Sequence, residues 1–140
     1  MSPLQQHQPE IHEREVSRPD RSWGAKFSDA FRGTWQGFRG ESSFFAHFFM
    51  AAAVIVAGIL LRVNMIEWCL LVICITVVLV AEMVNTALET MARAITDEPN
   101  PHIGGALDIG SAAVLLASVG AAVVGTIVLL NALAKLMGWV

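Results

Sequence analysis

The sequence predicts an all-α integral membrane protein, with three transmembrane helices preceded by an amphipathic helix at the membrane interface. Of the 140 residues, 55% are hydrophobic and only 15% are charged, whereas a soluble domain has about 25% charged residues. The hydrophobic residues form three long runs, and six of the nine Lys and Arg residues come before residue 44. A chain of this length forms one domain at most.

The first predicted element is a surface helix at residues 23–40. Its aromatic residues recur at spacings of three and four, while its charged residues lie elsewhere around the helix. This pattern is typical of a helix lying in the membrane interface. A soluble helix packed on a partner is the alternative. The aromatic residues are Trp23, Phe27, Phe31, Trp35 and Phe38.

The first two spans are predicted at residues 44–61 and 66–95. The first is interrupted only by His47 and is close to the roughly 20 residues that cross a bilayer. Since residues 62–65 form a very short connection, the second helix must run antiparallel to the first. It would be about 45 Å long, so its end should lie at or beyond the interface of a hydrocarbon core of about 30 Å.

The third span is predicted at residues 109–134, which carry no charge. The segment Asp97–Pro101 should break the preceding helix, because Pro and Asn end helical runs. Residues 102–105 are expected to continue the loop, with Gly104 and Gly105 in a turn. Small residues along the third span allow close helix packing, which favours a central position over an ordinary Ala/Gly-rich span.

The distribution of positive charge predicts the orientation. Lys and Arg concentrate before the first span, so the N-terminus should stay in the cytoplasm. The 62–65 connection and the C-terminus are then external, and the 93–108 loop is cytoplasmic. Residues 1–22 are polar and lack the apolar segment of a signal peptide, which indicates a disordered cytoplasmic tail.

A polar stripe on the second span carries the candidate chemistry. Glu82, Asn85, Glu89 and Arg93 fall within about 80° of one another on a helix, and Thr86 borders them. A carboxylate in a bilayer costs at least about 2.5 kcal/mol, so this stripe indicates a functional site. A stripe that only hydrogen-bonds neighbouring helices is the alternative.

Two further acids, Glu41 and Asp108, precede the first and third spans on the same predicted side of the membrane. Clustered carboxylates suit Mg²⁺, a hard cation that binds oxygen ligands. The sequence has no G-x-x-x-x-G-K-[ST] or G-x-G-x-x-G motif, so a nucleotide would be held by Mg²⁺, the acids and a few basic groups. The sequence has no cluster of Lys and Arg residues of the kind that binds nucleic acid.

Three segments resemble the prokaryotic diacylglycerol kinase and undecaprenol kinase family. Residues 81–89, Ala-Glu-Met-Val-Asn-Thr-Ala-Leu-Glu, are similar to the family's signature of Glu, two variable residues, Asn, Thr or Ser, Ala, Ile or Leu, and Glu. Residues 107–115 are similar to the family's Lys-Asp-x-x-x-Ala-Ala-Val-Leu. The third segment comprises Phe27, Ala30, Phe31, Gly33, Phe38, Glu41, Phe44 and His47.

The resemblance implies a homotrimeric helical bundle in the bacterial cytoplasmic (inner) membrane, with active sites between subunits, that phosphorylates a lipid hydroxyl using Mg²⁺ and ATP. By motif position, Glu82 would be the general base and Asn85 would orient the reacting groups. Glu41 and Glu89 would hold Mg²⁺, and Asp108 would line the nucleotide site.

The chain departs from the family's pattern at two positions. Arg93 stands where the family usually has Asp, and Leu107 where it usually has Lys. Leu107 removes an expected phosphate contact. Arg93 is the candidate replacement in the nucleotide site, since Arg binds phosphate well; pairing with Glu89 or snorkelling to the interface are the alternatives.

Several functions remain open from the sequence. We expect diacylglycerol as the acceptor, converted to phosphatidic acid in phospholipid biosynthesis. Undecaprenol is the alternative, towards which Glu41, Phe44 and His47 lean. Leu107 and Arg93 would also fit a non-catalytic membrane scaffold. An ion-translocating subunit would need polar groups through the full membrane depth, which the outer half of the second span lacks.

Overall fold

The computed structural model describes residues 22–40 and 42–139, and within these residues the chain is helical with no strand. The all-helical architecture is therefore confirmed. Glu41 and nearly all of the predicted tail lie outside the described residues. The helices are α1 (Trp23–Gly40), α2 (Ser42–Leu60), α3 (Met65–Ile95) and α4 (Pro101–Leu136).

The connection between α2 and α3 is short because both helix ends are capped locally. Arg62 adopts a left-handed conformation (φ 53°), and the Val63 N–H donates to the Gly58 carbonyl at 3.1 Å, which terminates α2. Asn64 Oδ1 then accepts from the Glu67 N–H at 3.0 Å, while the Glu67 carboxylate accepts from the Asn64 N–H at 2.8 Å. This reciprocal capping box starts α3, so α3 returns antiparallel to α2, as predicted.

Two helices of the described chain, α3 and α4, are long and apolar enough to cross a membrane. With 31 and 36 residues, they extend about 46 and 54 Å at 1.5 Å per residue. The apolar part of α2 is shorter, at Phe44–Leu60. Large hydrophobic side chains such as Ile73, Leu116 and Ile127 face outwards, as expected for surfaces in contact with lipid.

The beginning of α4 differs from the prediction. Asn100 caps the helix, accepting from the His102 N–H at 2.9 Å, and Pro101 occupies its first turn. Asn before Pro is a strong helix start, which outweighs the roughly 1 kcal/mol that each glycine costs in a helix. Gly104 and Gly105 are therefore helical, and the connection from α3 comprises only residues 96–100. The predicted loop at 102–108 was wrong.

The most extensive helix pairing in the described chain is between α3 and α4. The two helices run antiparallel, because Glu67 pairs with Lys135 while Asn85 lies against Gly110. At one end, Glu67 Oε1 accepts from Asn131 Nδ2 at 3.1 Å and pairs with Lys135 Nζ at 3.0 Å. Leu71 and Val128 pack in the apolar cluster beside these groups. Together, the polar contacts and the cluster set the register that positions the other end of the pair.

Candidate active site

The polar stripe of α3 lies on the face that packs against α4. Glu82 is only 2% exposed and Thr86 is buried. Leu71 and Val78, which precede Glu82 by eleven and four residues, are buried on the same face. The fold thus removes the Glu82 carboxylate from the helix surface, where a lipid tail would otherwise contact it.

Asn85 and Glu89 are linked one turn further along α3. Asn85 Nδ2 donates to Glu89 Oε1 at 2.9 Å, while Arg93 lies at 4.0 Å from Glu89 Oε2. Both carboxylate oxygens of Glu89 are therefore directed by neighbours on the same helix. The Arg93 side chain is 64% exposed, so this surface pair contributes little stability.

A close approach by α4 holds the Asn85 amide in place. A Cβ atom added to Gly110 would lie only 2.5 Å from Asn85 Oδ1 and 3.2 Å from Leu88 Cδ1. Glycine is the residue that lets two helices approach this closely. Asn85 Oδ1 is buried and has no hydrogen-bond partner among the described residues.

The predicted cluster of four acids is not assembled by the part of the chain that the structure describes. Within that part, no three His, Cys, Asp or Glu residues are close enough to hold a metal ion together. Glu41, one of the two predicted Mg²⁺ ligands, lies outside the described residues. Asp108 is exposed and precedes Gly110 by two residues, which is about 200° around α4, so it lies off the helix face on which Gly110 approaches Asn85.

A cavity of about 680 Å³ opens where α3 ends and α4 begins. Glu89 and Arg93 line it from α3, and Asn100 and Leu107 line it from the cap and first turns of α4. The residue pair at which the sequence departs from the family's pattern, Arg93 and Leu107, therefore shares one cavity. Its volume is in the range of pockets that hold small molecules.

Comparison with known families identifies the chain. The family model for prokaryotic diacylglycerol kinase matches residues 28–129. The chain belongs to the prokaryotic diacylglycerol kinase family. It is therefore a lipid kinase, with ATP as the phosphoryl donor. The matched residues include every candidate site residue, from Glu41 to Asp108.

Two relatives of the diacylglycerol kinase family show the range of acceptors. The chain is 32% identical over 119 residues to the undecaprenol kinase of Bacillus subtilis (strain 168), an alignment that covers 85% of this chain and 94% of that protein. It is 34% identical over 113 residues to the diacylglycerol kinase of Synechocystis sp., covering 77% of this chain and 65% of that protein. Family membership decides the reaction class but not which lipid is the acceptor.

Sequence reasoning missed the contacts that position the candidate site residues. The close approach at Gly110 was visible only as one small residue among many. The polar cluster of Glu67, Asn131 and Lys135 was also missed, although Asn64 followed three residues later by Glu67 is the signature of a capping box. That pattern was sufficient to predict the start of α3 and a structural role for Glu67 in capping it.

Proposed function

We propose that this lipid kinase transfers the γ-phosphoryl group of ATP to the hydroxyl of diacylglycerol, forming phosphatidic acid. The observation that carries the proposal is the buried Glu82 carboxylate beside the Asn85 and Glu89 pair. Phosphoryl transfer depends on positioning and charge neutralisation more than on covalent chemistry. This arrangement supplies the positioning at one end of α3, and Arg93, at 4.0 Å from Glu89, is the nearby cation.

Glu82 takes the proton of the acceptor hydroxyl. The hydroxyl oxygen then forms a bond to the γ-phosphorus, the bond to the bridging oxygen breaks, and ADP leaves. The Asn85 amide, held by its Nδ2 hydrogen bond to Glu89 at 2.9 Å, orients the reacting groups. A positioned general base contributes about 10²–10⁴-fold to such a step.

Among the described residues, Glu89 is the one that would bind Mg²⁺, because its carboxylate offers the hard oxygen ligands that this ion takes. Glu89 would hold the ion together with Glu41. Bound there, Mg²⁺ would neutralise charge on the phosphates of ATP. Arg93 lines the adjoining cavity and supplies a cation for the nucleotide. It takes the role of the lysine that the family usually has at the position of Leu107.

We also propose a membrane topology and an oligomeric state for the protein. The protein crosses the bacterial inner membrane three times, with α2 as the first span and the N-terminus in the cytoplasm. It forms a homotrimer whose active sites lie between subunits. Because Asp108 lies off the α4 face that approaches Asn85 within one chain, an intersubunit site takes this acid from a neighbouring subunit.

Undecaprenol is the second candidate acceptor, favoured by the high coverage of the Bacillus subtilis relative. The test uses purified protein in mixed micelles with Mg-ATP, offered diacylglycerol and undecaprenol separately. We expect phosphatidic acid from the wild type and at least about 100-fold less from Glu82→Gln. Asp97→Asn removes an exposed carboxylate outside the site and should retain activity.

Three results would contradict the proposed function. Product from undecaprenol alone would replace the proposed acceptor. Glu82→Gln with wild-type turnover would remove Glu82 from catalysis. No product from either lipid, from a folded oligomer, would indicate a non-catalytic scaffold.

A further inference from the structure

A second cavity lies between α2, α3 and α4. On α3 its lining residues precede the polar stripe. It has a volume of about 510 Å³, and most of its lining is apolar, including Met50, Val54, Leu71 and Val78. Val78 precedes Glu82 by four residues, so this apolar groove begins about 6 Å, or one helical turn, from the catalytic carboxylate.

One lining group is polar and unsatisfied. Ser118 Oγ is buried and has no hydrogen-bond partner among the described residues. Other helical hydroxyls in this chain bond back to the carbonyl four residues earlier, as Ser111 does to Leu107 at 3.0 Å and Thr76 to Val72 at 2.8 Å. Ser118 therefore retains an O–H donor for a group that enters the groove.

The helix register places this donor one turn below the acceptor site. Gly110 lies opposite Asn85, and α3 and α4 are antiparallel, so Ser118 lies near the level of Val78, with which it lines the groove. The axial distance from the level of Glu82 to that of Ser118 is thus about 6 Å.

We propose that the groove holds the chains of an acylglycerol acceptor and that the Ser118 hydroxyl donates a hydrogen bond to its ester carbonyl. This inference rests on the proposed function. In a diacylglycerol, the nearest ester carbonyl is separated from the free hydroxyl by roughly 5 Å at ordinary covalent bond lengths. A polyprenol has no polar atom beyond its hydroxyl, so Ser118 is a specificity-determining residue for ester lipids.

The test compares three acceptors with full-length protein: diacylglycerol, a dialkylglycerol with ether links and no carbonyl, and undecaprenol. Ser118→Ala should lower kcat/KM for diacylglycerol by about three- to tenfold, the effect of one neutral hydrogen bond. It should leave kcat/KM for the other two unchanged. Ser111→Ala removes a hydroxyl from the same helix and should change none of them.

The preference of the wild type for the diacyl over the dialkyl lipid should disappear in Ser118→Ala. An equal loss with all three acceptors, or no loss with any, would overturn the role of Ser118 while the kinase activity stands. If the wild type phosphorylates undecaprenol and not diacylglycerol, both the acceptor and this inference fail.

Ser118→Leu distinguishes a lipid from a second copy of the chain as the occupant of the groove. If the groove holds lipid, the added bulk should raise KM for diacylglycerol and leave the oligomer mass unchanged by light scattering. A changed mass would identify the groove as a subunit contact and overturn the proposal.

Discussion

Gly110→Ala probes the contact that holds the Asn85 amide of the proposed active site. The added Cβ atom would lie 2.5 Å from Asn85 Oδ1, so the two atoms must separate by roughly 0.9 Å to reach an ordinary 3.4 Å contact. Either the Asn85 side chain rotates and loses its 2.9 Å bond to Glu89, or α4 moves away from α3. Overpacking of this kind costs about 1–3 kcal/mol of stability.

Both rearrangements displace the reacting groups. Because a misplacement of about 1 Å can lower a rate about 100-fold, we expect kcat for lipid phosphorylation to fall 10- to 100-fold. The assay measures kcat and KM in mixed micelles, with oligomer mass and thermal midpoint as measures of folding. Gly105→Ala and Gly120→Ala, at which an added Cβ meets nothing within 4 Å, are matched controls on the same helix.

The controls should keep wild-type kcat, since neither introduces a contact within the chain. A Gly110→Ala protein that turns over like the wild type would show that the position of the Asn85 amide does not limit catalysis. A fall in both controls as large as that in Gly110→Ala would attribute the effect to helix stiffness and refute the argument from contact.

Two other predictions address packing and the nucleotide. Gly58→Ala would place a Cβ atom 2.8 Å from Trp68 Cη2, so the thermal midpoint should fall by the equivalent of about 1–3 kcal/mol. Adding Trp68→Phe to the same chain should restore the thermal midpoint, and failure to restore it would contradict this contact. Arg93→Ala should raise KM for ATP roughly tenfold through loss of a charge-assisted contact without changing KM for lipid, and an unchanged KM for ATP would remove Arg93 from the nucleotide site.

Sequence periodicity was sufficient to predict the helices and the stripe. The spacing of Glu82, Asn85 and Glu89 placed them on one face, and the structure shows that Asn85 on this face lies against Gly110 of α4. The start of α4 was predicted wrongly because Asn100 and Pro101 were read as helix breakers. The same two residues act as a cap and a first-turn proline when a helix follows, and only the downstream packing shows which role applies.

The sequence by itself determined the all-helical fold class and the candidate site residues of this protein, because both depend on local periodicity and residue chemistry. Tertiary structure decided which surfaces meet. The close approach of Gly110 to Asn85, the cavity shared by Arg93 and Leu107, and the unsatisfied Ser118 hydroxyl in an apolar groove all join residues from different helices. Such contacts depend on the register of α3 against α4, which distant groups such as Glu67 and Lys135 set, so no single segment of the sequence encodes them.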